Sequence, residues 1–297
     1  MIGTMTTPAR DGSEPHPAEP GRYDPALAQR IRSALSPADP ATAAYLEIGA
    51  RLDRVSAVRA VRSAVAWQSL HATWDRPWII AMGDDPDQVA GCVAELAADV
   101  GAPEGITVAR AALPRLPEPL RPVEHWEWDW WFTRRPPAAR PGEARVVALP
   151  ADDPRIGALL DVASPDAMAR PGDPRILGWA GIEAAAAAER SRGSGASADI
   201  AADDLVAVAA VTTMRPGIPH LSSVATRPAW RGHGLARDLC AQMTREALAG
   251  GAPAVTLGMH AGNRAARRVY DSLGYLVGYR WASGRVAQRP RPDHSVA

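Results

Sequence analysis

Apolar residues recur along this chain in two rhythms, every second position and every third or fourth, which predicts a succession of strands and helices. In RLDRVSAVRAVRSAVAWQSL (51–70), Val58, Val61 and Val65 fall on one face of a helix. Trp78, Ile79 and Ile80 form a short apolar strand. The next stretch, GDDPDQ, offers an acidic cap and an early proline to a helix striped by Val89, Val93 and Leu96. ITVARAAL (106–113) predicts a further strand. In EHWEWDWWFT (124–133), Trp126, Trp128 and Trp130 alternate with Glu127, Asp129 and Trp131. An extended strand puts those three tryptophans on one face. Their large apolar area favours a place in a sheet core, and a stacking platform for a ligand is the other reading.

The proline-rich RRPPAARPGE (134–143) reads as a linker. After it come a strand, RVVAL (145–149), a helix opened by an acid and a proline, DDPRIGALLDVA (152–163), and a loop, ARPGDP (169–174). WAGI (179–182) and LVAVAAV (205–211) predict two strands of a hairpin, with residues 183–204 as a flexible alanine-, serine- and glycine-rich insertion. The division that follows is a tail (1–22), an N-terminal α/β domain (23–133), a linker (134–143), a second α/β domain (144–286) and a tail (287–297).

Composition narrows the chemistry. With 297 residues, 46% of them hydrophobic, the chain is long enough for two packed domains. Its formal net charge of zero argues against a nucleic-acid partner held by counterion release. No run of 18–20 apolar residues marks a membrane span, and the N-terminus lacks a basic-then-apolar leader, so the cytoplasm is the expected location. Cys92 and Cys240 each sit in a helical pattern and read as buried thiols. The scattered histidines give no metal-ligand spacing, and no metal is expected. Every basic side chain is arginine. The absence of lysine excludes a Walker-type phosphate loop, the strand lysine of protein kinases and Schiff-base chemistry.

The chemistry concentrates in the second half. HLSSVAT (220–226) is a strand, RPAW breaks it, and Leu235, Leu239, Met243 and Leu248 run along a helix that stops at Gly250-Gly251. Arg231, Gly232, His233, Gly234, Leu235 and Ala236 therefore form the first turn of that helix. Backbone N–H groups there lack partners inside the helix, and the dipole adds roughly half a positive charge. Glycines at that turn let a phosphate approach the donors. AVTLGMH (254–260) is the next strand. Asn263 then caps a helix carrying Ala266, Val269, Tyr270 and Leu273 on one face and ended by Gly274. LVGYRWAS (276–283) returns as a strand.

This order, with an R-x-x-G-x-A turn and then N-x-x-A-x-x-x-Y-x-x-x-G before an aromatic residue, resembles the GNAT superfamily of N-acetyltransferases over residues 144–286. The match is specific over 221–275. The resemblance implies a mixed-sheet α/β fold and acetyl-CoA as cosubstrate, lying in a V-shaped gap between strands 221–226 and 254–260. It implies that Val224, Ala225 and Thr226 pair with the pantetheine arm, that residues 231–236 hold the diphosphate, and that Asn263 contacts the cosubstrate. It gives Tyr270 the part of proton donor to the departing thiolate. An amine attacking a thioester generates an oxyanion and then a thiolate, so N–H groups near Val224 and a phenol near sulfur suit the chemistry.

Many relatives carry a glutamate as base on the strand before the asparagine. Here Thr256, Leu257, Gly258 and Met259 stand there, and none takes a proton. His260 and His233 read as solvent-facing, which leaves the base unidentified. The N-terminal half lacks such a turn and is compatible with a degenerate copy of the same fold, a two-part layout broadly similar to glycine N-acyltransferase. The expected function is acetyl transfer to a small-molecule amine, the alternative a catalytically silent acyl-CoA-binding or interaction module.

Overall fold

The computed structural model describes residues 25–35, 40–70, 76–188 and 200–287. The tail expected at 1–22, all of that expected at 287–297 except Ala287, and residues 189–199 of the insertion expected at 183–204 lie outside these residues. The helices are α1 (Pro25–Ala34), α2 (Pro40–Ala44), α3 (Pro86–Val100), α4 (Pro154–Ala163), α5 (Ala184–Ala188), α6 (Leu235–Ala249) and α7 (Arg264–Ser272). The strands are β1 (Val55–Val61), β2 (Ala64–Leu70), β3 (Pro77–Gly83), β4 (Gly105–Ala109), β5 (Glu124–Thr133) and β6 (Val147–Leu149), followed by β7 (Ile176–Glu183), β8 (Leu205–Arg215), β9 (Ile218–Thr226), β10 (Val255–His260) and β11 (Leu276–Arg285).

All eleven strands form one mixed sheet in the order β1-β2-β3-β4-β11-β5-β10-β9-β8-β7-β6. Only β3/β4 and β9/β10 are parallel. Each half thus repeats one arrangement: an antiparallel meander, a helix (α3 or α6), and a strand parallel to the last. At the centre the halves exchange strands. β5 lies between β10 and β11, and β11 lies between β5 and β4.

One face of the sheet carries α3, α6 and α7, over cores that include Val89, Val93 and Leu96 in the first half and Leu235, Leu239 and Tyr270 in the second. The other carries α1 and residues 44–52 over the first half and α4 over the second, with a groove between them. On β5 the alternation works as the sequence implies. Trp126, Trp128, Trp130 and Phe132 face the groove side, with Trp130 buried and Trp126 and Trp128 half-buried. Trp131 packs in the opposite core with Tyr270, at 6.5 Å between rings. Asp129 beside it is fully buried and accepts from Arg110 (2.5 Å) and Arg267 (2.6 Å), so one carboxylate ties the segment after β4 to α7.

Two expectations fail. Residues 51–70 form not a helix but the hairpin β1–β2, turned at Arg62 with φ +47°. Val58, Val61 and Val65 meet the helical spacing, but β2 is buried on both faces. Val65 and Trp67 face one core and Ala64 and Ala66 the other, so no period-two alternation is there to read. The strand expected over 106–113 ends at Ala109. Arg110 turns away to bond the Trp128 carbonyl and Asp129, and Pro114 follows in a 3-10 segment. The stretch 134–143 packs closely: Glu143 is buried against Arg245, and Arg140 and Arg145 both grip buried Asp238 on α6.

Because β5 completes the second half, a fragment beginning at Gly142 is expected to show no cooperative unfolding transition. Adding residues 1–141 in trans is expected to restore one, followed by circular dichroism. Trp130→Ala is expected to cost about 3–5 kcal/mol in a denaturant titration, and half-buried Trp128→Ala clearly less.

Candidate active site

β9 and β10 are paired at two positions only, His220 with Thr256 and Leu221 with Leu257. Beyond them the parallel strands separate. Each is held on its outer edge: β10 pairs with β5 over six positions to His260, and β9 pairs with β8 to Thr226. A bulge sharpens the divergence, since Val208 faces Ala225 while Ala210 faces Ser222, leaving Ser223 and Val224 opposite Ala209. Ser223 adopts φ +50°, costly for a residue with a side chain. Its hydroxyl donates to the Ala169 carbonyl (2.7 Å) and accepts from the Ala169 N–H (3.1 Å), fastening the bulge to the 164–175 loop.

At the open end of the gap the chain makes its turn into α6. Gly232 (φ +84°) and Gly234 (φ +78°) are left-handed, and a Cβ on either meets nothing within 4 Å. Gly234 is the N-cap and has no side chain to bond the first-turn N–H groups. The equivalent helix of the other half, α3, is closed. Asp85 caps it, accepting from the N–H groups of Asp87 (2.9 Å) and Gln88 (3.2 Å), bonds that lower its pKa. One helix start carries its own anion; the other is left open to one from outside.

The gap opens into a cavity of about 1720 Å³ that continues along the groove on the other half. Every site residue expected from sequence lines it except His233. The His233 ring folds back on its own turn, with Nδ1 3.2 and 3.1 Å from the carbonyls of Trp230 and Arg231. The Arg231 side chain is also engaged, donating to the carbonyls of Thr226 (3.2 Å) and Ala163 (3.2 Å). Asn263 accepts from the Ala266 N–H (3.0 Å) through Oδ1, so its carboxamide NH₂ remains for the cavity. Tyr270 is buried, and burial raises its pKa well above the ordinary phenol value, so it stays protonated.

Sequence reasoning missed His220. Its Nδ1 lies 2.9 Å from the Thr256 hydroxyl, which in turn donates to the Pro219 carbonyl (3.3 Å). One hydroxyl proton serves both contacts only if Nδ1 carries a hydrogen, which puts the lone pair on Nε2. Burial, helped by the Arg175 guanidinium, pushes the imidazole down to about 4, so it is neutral near pH 7. The register holds the signal: His220 shares the first of the two β9–β10 rungs with Thr256, on the groove face. From sequence only the strand was visible, not that rung.

A family model described as the acetyltransferase (GNAT) family matches residues 107–275, more than half of the chain. The chain belongs to the GNAT family. It is a GNAT-type N-acetyltransferase, in a family that uses acetyl-CoA or another acyl-CoA as cosubstrate. Among solved structures, a GCN5-related N-acetyltransferase from Sphaerobacter thermophilus is similar in fold, with TM-score 0.51 and 17% identity over 92% of this chain and 95% of that one. One from Kribbella flavida matches at 18% identity over 79% and 90% (TM-score 0.46). A putative GNAT acetyltransferase from Novosphingobium aromaticivorans matches at 22% over 75% and 89% (0.44). No curated protein matches the chain. Among the described residues no helix is long and apolar enough to cross a membrane, and no group of side chains has the makings of a metal site.

The chain's own residues fit an acyl-CoA: an uncapped helix start for a diphosphate, and a gap between strands for an extended arm. Gly234→Glu is expected to weaken acetyl-CoA binding at least tenfold by calorimetry, because it adds bulk, strain at φ +78° and negative charge at that start.

Proposed function

We propose that the enzyme transfers an acetyl group from acetyl-CoA to the primary amine of a small molecule by direct attack. The supporting observation is what converges on the gap: an open helix start at one end, Tyr270 on the α7 side, and a neutral imidazole on the groove side of the vertex. When bound, acetyl-CoA supplies an activated acyl carbon and a thiolate leaving group. Backbone N–H groups of residues 232–236 hold its diphosphate, and Val224, Ala225 and Thr226 present backbone along its arm. The Asn263 carboxamide adds a contact from the opposite strand's loop.

The vertex fixes the roles of the remaining groups. Backbone N–H at the Ser223–Val224 bulge steadies negative charge on the acyl oxygen. As the C–N bond forms, the nitrogen's proton becomes acidic and His220 takes it at Nε2. As the C–S bond breaks, Tyr270 gives its phenolic proton to sulfur. The products are an N-acetylated amine and free CoA. The silent-module alternative drew on the lack of an acid on β10, and a histidine on β9 answers that lack.

Release of free thiol from acetyl-CoA, followed across a panel of primary amines, tests the reading; no release with any amine counts against it. Tyr270→Phe is expected to lower kcat about 100-fold and to change acetyl-CoA affinity less than about twofold, since only the proton is lost. His220→Gln is expected to lower kcat as well. The active form of His220 is the unprotonated one, so wild-type kcat should fall as pH drops through about 4 and hold from there toward neutrality. The Gln variant should lack that acid limb.

A further inference from the structure

Past the vertex, the cavity runs over the groove face of β10, β5, β11, β4, β3 and β2, onto a surface that acetyl-CoA does not need. Its floor begins with Trp128. That ring lies over Gly258, where a Cβ would stand 3.6 Å from it, and it stacks on Trp281 at 6.0 Å and 25°. Gly258 follows directly on the last β9–β10 rung, so Trp128 starts where the acyl group would end.

The far end is a single row across the sheet. Trp67 pairs with Ile80, Ile80 with Thr107, Thr107 with Ser283, and Ser283 with Trp126. All five line the cavity. Within this row the hydrogen bonds leave a surplus of donors. The Trp128 indole N–H donates to Ser283 Oγ (2.8 Å), and the Trp78 indole N–H donates to Thr107 Oγ1 (2.9 Å). The two hydroxyls are 2.8 Å apart and share one hydrogen bond. Two hydroxyls hold two protons, and the bond between them uses one. The other has no acceptor among the described residues. Trp67, 1% exposed, also has an indole N–H without a partner. Buried donors left unpaired are costly, and here they lie in one row that lines one end of an aromatic chamber.

We infer that this chamber is the acceptor site, and that the acceptor is an elongated aromatic amine with an uncharged hydrogen-bond acceptor, such as a carbonyl oxygen, at the end away from the amine. The inference rests on the transfer reading above for its orientation, amine at the vertex. The ring system lies on Trp128, as aromatic faces prefer offset stacking. The carbonyl meets the free hydroxyl proton of the Thr107–Ser283 pair and the Trp67 N–H. These donors are neutral, so they suit a neutral oxygen better than a carboxylate, whose charge would be buried without a partner. Strand and residue spacings set the length at about 16 Å from Gly258 to Ser283.

The test uses three amines: 4′-(aminomethyl)biphenyl-4-carboxamide, 4-(aminomethyl)biphenyl and n-octylamine. Calorimetry on the full chain measures their binding, and thiol release measures acetylation separately. The wild type is expected to bind the carboxamide tightest and octylamine weakest. Ser283→Ala is expected to weaken the carboxamide at least tenfold, to change 4-(aminomethyl)biphenyl less than threefold, and to keep wild-type acetyl-CoA affinity, which shows that it is folded. Trp128→Leu is expected to weaken both biphenyls and spare octylamine. Equal binding of all three amines by the wild type overturns the inference, as does an equal loss for both biphenyls in Ser283→Ala. If Ser283→Ala misfolds, Thr107→Val gives the same readout. Binding with the expected pattern but no acetylation keeps the chamber and removes the transfer reading. Acetylation of amines without that pattern does the reverse.

Discussion

Two parallel strands that stop pairing after two rungs are an unstable arrangement unless something holds them apart. Neighbouring strands gain hydrogen bonds by closing, and a gap between them leaves backbone groups without partners. Here the outer edges do the holding. β10 is fixed to β5 over its whole length, β9 to β8, and the left-handed Ser223 bulge is clamped to Ala169. The cavity, the exposed helix start and the position of His220 all follow from that divergence. Asp129, beneath β5, joins Arg110 and Arg267 so that α7 and the first half cannot drift relative to the strand between them.

The two halves share an arrangement and differ in what they leave open. In the first, β3 and β4 stay paired over four positions, and a carboxylate caps α3. In the second the pairing shrinks to two, and a left-handed glycine stands where the cap would be. The first half therefore has no vacancy for an anionic arm, but its groove face remains aromatic and continuous with the gap. The two halves thus differ by side: one leaves a gap and an uncapped helix start, and the other leaves an aromatic groove face.

What the sequence made legible was local. The glycines at 232 and 234, the Asn263 cap, the Tyr270 stripe and the alternation in β5 are each carried by a short stretch whose chemistry has one sensible geometry. The hairpin at 55–70 was hidden because strands buried on both faces lose their period. His220 was hidden for a different reason: its importance depends on which residue of β10 lies beside it, and register between strands far apart in the chain leaves no trace in either one. The hydroxyl row from Trp67 to Trp126 draws on five separate strands and was hidden in the same way. The exchange of β5 and β11 was beyond reach too, since each reads as an ordinary final strand of its own half.

That exchange orders events in the newborn chain. β4 is made long before β11, yet one edge of it waits for β11, and so does one edge of β5. While the ribosome is still adding the residues between, both present open strand edges, one of them rich in tryptophan, to any neighbour able to pair. The pairings of β11 that close the centre of the sheet span from 144 residues (Leu276 with Phe132) to 180 (Arg285 with Gly105), the kind of long-range contact that makes folding slow. An acetyltransferase built this way joins its two halves into one sheet only when its last strand arrives, and until then its tryptophan-rich strand keeps one edge unpaired.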